Sequence, residues 1–249
     1  MAILPKCTGF LSLMGSLFIF QDIIIHKRPI DRAYYRIMLG LSCCGIISST
    51  VNFLSTWPIP PDSGAFLASG TTATCTAQGF FNELGNLATP LYNTSLCLYF
   101  VLVICQGWSE DRIRTRAEPF MHAVPIVTAL TIAILGLPFK LYNHSGWLCW
   151  VAKYPTGCSG SDCTRGVHTH AFRVLHYTII WSAIICVTVG VGMSLIYLKV
   201  KSFDKKEAQE NKASVVRLER SRKVASQAAF LLGHCFRPGH LQLLQGSMR

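Results

Sequence analysis

Charge is scarce in this sequence. Lys, Arg, Asp and Glu make up 14% of its 249 residues, against roughly a quarter in an ordinary soluble protein. Residues 37–61, 120–139 and 174–198 contain none of the four, which excludes a soluble fold more firmly than the average does. At about 1.5 Å per residue, each gap is long enough for a helix of about 30 Å, the hydrocarbon thickness of a bilayer. Marks of catalysis are also missing. There is no HExxH, no GxSxG, no phosphate-binding loop around Gly79 and Gly85, and no pair of intramembrane acids beside a nucleophile. No Lys lies inside the apolar stretches to form a Schiff base. The sequence therefore reads as a non-enzyme with no cofactor and no metal. The eleven cysteines are an odd number, which argues against a fully oxidised secreted scaffold, and Cys43, Cys44, Cys97, Cys105 and Cys186 lie in apolar runs where thiols pack as small hydrophobes.

What is present is a set of apolar segments divided by prolines and basic clusters. Spans are expected at about 7–25, 37–57, 75–105, 120–139 and 172–198, with an aborted sixth at 224–236, giving an all-α polytopic bundle over residues 1–236. The first segment is expected to remain as a helix and not to be removed as a signal peptide, because no basic n-region opens it and His26-Lys27-Arg28 follows where small residues would mark a cleavage site. Pro58, Pro60 and Pro61 close the second span. The third, unusually long, must tilt or project beyond the hydrocarbon. Residues 199–223 form a basic, solvated segment.

Basic residues also give an orientation. Lys27, Arg28, Arg32, Arg36, Arg112, Arg114, Arg116 and the basic run of 199–223 fall on alternate loops of one side, with few on the other. The positive-inside rule makes that side cytoplasmic and places the N-terminus outside, so the net charge of +11 is accounted for by topology and the anionic inner leaflet, with no need for nucleic acid as a partner.

Within the third span Gln78, Asn82, Asn86 and Asn93 share one helical face, with Glu83 and Thr89 beside it. Lipid cannot satisfy such a face, so it reads either as a ligand pocket or water network or as interhelical hydrogen bonding. A small transporter or channel using this face is the alternative reading, although neither repeated halves nor broken helices are evident. Cys75 and Cys149 both lie on the outer side, where a disulfide is chemically permitted. Cys158 and Cys163 read as a local bridge in preference to a zinc site with His168 and His170, whose spacing fits no standard structural zinc pattern. Asn143-His144-Ser145 is a glycosylation sequon facing outward. Trp108, Glu110, Asp111 and Arg112 close the inner end of the third span as an interfacial anchor with solvated charges.

The order of features resembles the seven-helix G-protein-coupled receptors of the cyclic-AMP-receptor and secretin-like assemblage, especially the receptor-like sequences of diatoms and related algae. The matching residues are those from Leu4 to Ser12, Gly40, Thr56-Trp57-Pro58-Ile59-Pro60, the run from Gly70 to Phe81, Leu91-Tyr92-Asn93, Gly107-Trp108, Leu137-Pro138, Leu141-Tyr142-Asn143, Cys149-Trp150 and Cys158 to Cys163. The resemblance implies a Cys75–Cys149 disulfide, a pocket for an extracellular ligand among Gln78, Asn82, Glu83, Asn86 and Asn93, a plasma-membrane location, and a cytoplasmic face at Trp108, Glu110, Asp111 and Arg112 that engages a heterotrimeric G protein. Cys105-Gln106 depart from the family, which carries a basic residue and often a Tyr there. Ala225 to Phe230 resembles the start of a sixth helix, after which residues 237–249 read as a tail outside the family. The expectation is of an incomplete receptor whose signalling is undercut by the missing helices.

Overall fold

A computed structural model describes residues 3–25, 31–159, 162–169, 179–207 and 222–227. Helix α1 (Ile3–Ile25) lies against α2 (Ala33–Leu54). The two backbones approach closely where Gly9 meets Phe53, since a Cβ on Gly9 would come 2.6 Å from the Phe53 nitrogen. Ser12 and Ser49 hydrogen-bond across the same interface at 2.8 Å. At the C-terminal end of α2, Lys6 donates to the Leu54 carbonyl at 2.9 Å while its ammonium lies over the Trp57 ring. Helix α2 stops because Ser55 takes a positive φ of 49°, and a short 3-10 turn, Pro61–Ser63, leads on.

Helix α3 (Thr72–Phe100) begins at a capping box, in which Thr71 and Thr74 satisfy each other's backbone N–H groups. It continues through a π turn, Val101–Cys105, and ends at Gly107, whose φ of 65° favours glycine. Two further helices follow almost end to end, α4 (Glu110–Arg116) and α5 (Glu118–Leu135). The first has Glu110 and Asp111 in its first turn and Arg114 and Arg116 in its last, the signs that its dipole favours. A two-stranded antiparallel hairpin, β1 (Tyr142–His144) and β2 (Cys149–Val151), comes next, pairing Tyr142 with Val151, Asn143 with Trp150 and His144 with Cys149. The last long helix among the described residues is α6 (Ile179–Glu207).

Helix α3 is the axis of the fold, packing against α2, α5, α6 and the hairpin. One core cluster gathers Ala33, Ile37, Tyr92, Leu96, Ile113 and Met121 near the α4 end, and a second joins Leu87, Ala88 and Leu91 to Ala129, Ile185 and Val189. The outer faces of the bundle are apolar instead of polar: Phe18, Phe120, Val127, Val187 and Leu198 are all more than half exposed. Such a surface suits lipid. Among the described residues five helices, Ile3–Ile25, Ala33–Leu54, Thr72–Cys105, Glu110–Leu135 and Ile185–Phe203, are long and apolar enough to cross a membrane, so the all-α helical bundle expected from the sequence is the architecture observed.

Span boundaries move by a few residues, for local reasons. Helix α2 starts before Arg36, whose guanidinium is paired with Glu118 of α5. Helix α5 ends at Leu135 and not at 139, where the chain turns over Gly136 to admit the Tyr142 ring. Helix α6 continues past Leu198 as far as Glu207, because lysines are good helix formers once outside the apolar layer. Most of the expected basic segment, of the aborted sixth span and all of 237–249 lie outside the described residues; 222–227 are helical.

Candidate functional site

The hairpin end is built around α3. Cys75, on the first turn of α3, is bonded to Cys149 of β2, with their Cα atoms 5.3 Å apart. Three residues on, Gln78 is buried and fully used: its Nε2 donates to the carbonyls of Ser55 at 2.7 Å and Val51 at 3.3 Å, and its Oε1 accepts the Cys149 N–H at 3.0 Å. It therefore caps the end of α2 and fixes the hairpin, a positioning task and not an open ligand contact. Ser55 adds a bond to the Trp147 carbonyl at 3.0 Å.

Below this clasp lies Glu83, with no exposed surface. Its Oε2 accepts the indole N–H of Trp150 at 2.7 Å, so the hairpin reaches a buried carboxylate directly. Tyr142 flanks the same place. Its ring stands against Gly79 of α3 and Gly136 after α5, where an added Cβ would come within 2.7 and 2.4 Å of it, and its hydroxyl donates to the Ala133 carbonyl at 2.7 Å. Burial first, and the neighbouring Glu83 carboxylate second, push the Tyr142 phenol above its ordinary range, keeping it a neutral donor. Leu141, Tyr142 and Val151, with Phe80, Ile132 and Trp150 around them, form the small apolar cluster that excludes water here.

The remaining amides of the stripe behave differently. Asn82 is fully buried and accepts from the Nδ2 of Asn86 at 3.0 Å; Asn86 is exposed and accepts the Ser48 hydroxyl of α2 at 3.1 Å. Asn93 lies two turns further along and half-buried. The stripe therefore splits into Gln78 and Glu83, committed to the hairpin, and Asn82, Asn86 and Asn93, which are not. A groove of about 640 Å³ opens instead beside the first turns of α3, between Thr72, Thr76, Phe80, Phe81, Leu137 and Arg165.

Asn143, the Asn of the sequon, lies in β1. It is buried, its Nδ2 donates to the carbonyls of Lys140 at 2.9 Å and Ala152 at 2.8 Å, and its Oδ1 accepts from Arg165 at 2.8 Å. Cys158 and Cys163 are joined to each other, which removes both thiolates from any zinc site. His168 packs edge-on against Phe139, and His170 lies outside the described residues. Tyr154 ties the loop to the turn after α2 by donating to Asp62 at 3.1 Å, a bond that raises its phenol pKa. His144 is lowered by burial.

The opposite end is held by charges. Glu110 accepts the Ala33 backbone N–H at the start of α2 with one oxygen and the Tyr99 hydroxyl at 3.2 Å with the other. The expected group of solvated charges is thereby divided: Asp111 and Arg112 are exposed, with the Arg112 guanidinium 4.1 Å from the centre of the Trp108 ring, whereas Glu110 is a structural acceptor. The strongest contact at this end was not singled out from the sequence. Arg36 of α2 and Glu118 of α5 form a two-pronged pair, Nε to Oε1 and Nη2 to Oε2 at 2.6 Å, and His122, four residues after Glu118, lies 3.8 Å away and meets the Tyr92 hydroxyl at 3.2 Å. The one sequence signal was a Glu on the polar border of an otherwise charge-free helix. No protein-family profile and no curated protein matches the chain.

Proposed function

We infer that this chain is a receptor-type membrane protein, related to the G-protein-coupled receptors that its sequence resembles, in which a ligand arriving at the hairpin end alters the helix bundle and is read at the Trp108 end. The observation that carries the reading is the Trp150–Glu83 bond: a hairpin tethered by a disulfide places an indole on a fully buried carboxylate of α3. An ionisable group so buried is a functional candidate by default, and a single hydrogen bond is strong enough to hold a lid and weak enough for a ligand to exchange. The excess of basic residues on the Trp108 side orients that end to the cytoplasm and the N-terminus and hairpin to the exterior at the plasma membrane. Asp111 and Arg112, exposed there, present the charges that a heterotrimeric G protein would meet.

The test uses the chain reconstituted in lipid vesicles with purified heterotrimeric G proteins, measuring uptake of a non-hydrolysable GTP analogue. Uptake is expected above that of protein-free vesicles, to fall with Arg112→Ala, and to rise with Trp150→Phe, which keeps the ring and removes the donor to Glu83. A tag inserted after Thr156 is expected to be reached by antibody on intact cells. Unchanged uptake with every G-protein class, or a tag reached only after permeabilisation, defeats the reading.

A further inference from the structure

The groove beside the first turns of α3 holds about 640 Å³, within the range of small-molecule pockets. On α3 it is lined by Thr72, Ala73, Thr76, Ala77, Phe80 and Phe81, which recur at intervals of four and so follow one face of the helix for about 14 Å. The lining changes character along that length. Its first turns carry hydroxyls, and Arg165 reaches in there from the loop, its Nη2 donating to Thr76 Oγ1 at 3.3 Å. Phe80 and Phe81 make it apolar about 6 Å deeper. Phe81 is 46% exposed and Leu137, on the far wall, 41%. The groove is therefore open toward the surroundings of the bundle, which in a bilayer are acyl chains.

Arg165 carries the one formal charge among the described residues of the lining. Half-buried, it donates from Nε to Asn143 Oδ1 at 2.8 Å and from Nη2 to Thr76. Both acceptors are neutral, and among the described residues no carboxylate lies within ion-pair distance of it. Two of the five N–H groups of a guanidinium are thus engaged, and three are left. A cation whose charge nothing offsets, at the edge of an apolar groove, is better served by an anion than by its two present partners.

We propose that this groove binds the anion of a long-chain fatty acid, with the carboxylate on Arg165 and the chain laid past Ala77 and Phe81 toward the bilayer. The polarity of the lining selects an amphiphile, and the single cation selects one negative charge. A carboxylate also matches the planar fork of a guanidinium, from which it takes two parallel hydrogen bonds. The chain itself confers little preference, because in leaving lipid for the groove it exchanges one apolar surrounding for another. Selectivity resides in the head. An anionic phospholipid fits less well, since its phosphate has a substituent on either side and brings two chains to a lining one helix face wide. Binding of this kind requires only that the chain lie in lipid, and it stands apart from coupling to a G protein.

The test holds the full chain in phosphatidylcholine vesicles at alkaline pH, where a fatty acid is ionised. Spin-labelled stearic acid is compared with its methyl ester, and the immobilised fraction of the spectrum reports association. The acid is expected to associate about tenfold more strongly than the ester. Arg165→Gln, which keeps a donor for Asn143 and removes the charge, is expected to bring the acid down to the level of the ester, whereas Arg165→Lys retains most of the preference. Ala77→Trp, at an exposed position, fills the groove without touching Arg165 and is expected to release the acid; thermal unfolding checks that each variant is folded. Equal association of acid and ester overturns the proposal, as does an Ala77→Trp variant that binds the acid like the parent, and both results hold even where an Arg165 variant does not fold. A folded Arg165→Lys variant that behaves like Arg165→Gln overturns it too, by showing that the charge is not what the head meets. Spin-labelled phosphatidylglycerol held as firmly as stearic acid would assign the groove to an anionic phospholipid instead.

Discussion

The two ends of the bundle are closed by different chemistry. At the hairpin end the main ties are a disulfide and hydrogen bonds: the Cys75–Cys149 bond, the three hydrogen bonds of Gln78, the Trp150 indole on Glu83, and Tyr142 seated between two glycines. At the Trp108 end they are ionic: Arg36 with Glu118, and Glu110 across Ala33 and Tyr99. Covalent and fully desolvated contacts hold one geometry. Charge pairs near an interface can exchange partners at little cost, because water and lipid headgroups compete for the same ions. The two ends are therefore expected to respond differently to substitution, and this asymmetry can be attacked from either side.

Breaking the fixed end gives the largest expected effect. Cys75→Ser opens a disulfide that spans 74 residues, worth about 4 kcal/mol by loop-closure entropy, and thermal unfolding in detergent should show a drop that added reductant reproduces in the parent protein. The local bridge between Cys158 and Cys163, five residues apart, is worth about 2 kcal/mol on the same basis. A Cys158→Ser variant more damaging than Cys75→Ser would mean that the hairpin is not anchored through α3.

The ionic end comes second. Glu118→Gln leaves the Arg36 guanidinium, 24% exposed at its side chain, without its counter-charge, at a cost of about 2–3 kcal/mol, below the range for a fully buried pair. The double variant Arg36→Met with Glu118→Leu should recover most of that loss, because two apolar side chains suit the bilayer border better than one stranded ion. Losses that simply add would show that the pair is not an interacting unit and that the contrast between the two ends is overdrawn.

How far these features are visible in the sequence depends on whether the signal is local. Charge-free runs of about 20 residues place the helices in lipid, and the spacing of Gln78, Asn82 and Asn86 sets them on one face. Both follow from composition and the helical repeat. Which of those amides would be consumed by a hairpin was not legible, because Gln78 is engaged by Cys149, 71 positions away. The surroundings of Asn143 were not legible for the same reason: a sequon is a three-residue pattern, whereas the carbonyl of Ala152 and the guanidinium of Arg165 that bond its side chain come from elsewhere in the loop. Arg36 was legible as a topological charge but not as the partner of Glu118, 82 residues on. Pairings across elements arise only after the helices have been arranged.

The smallest effect concerns the loop itself and separates its neutral packing from the ion pairs. His144, opposite Cys149 in the hairpin, is half-buried, and burial lowers its pKa below the ordinary 6.5. The folded state therefore favours the neutral imidazole, while the unfolded chain takes up a proton near pH 6.5. Below that value the unfolded state binds more protons than the folded one, so stability falls as pH drops from about 6.5 toward the lowered folded pKa and is fully present above about 6.5. Thermal unfolding of the parent at pH 8 and pH 5.5 should show a modest loss on acidification, and His144→Phe, which cannot be protonated, should reduce it. Were the loss unchanged in that variant, the acid-sensitive element would lie at the Arg36–Glu118 end and not in the hairpin, and the fixed end would owe nothing to the neutrality of its buried ring.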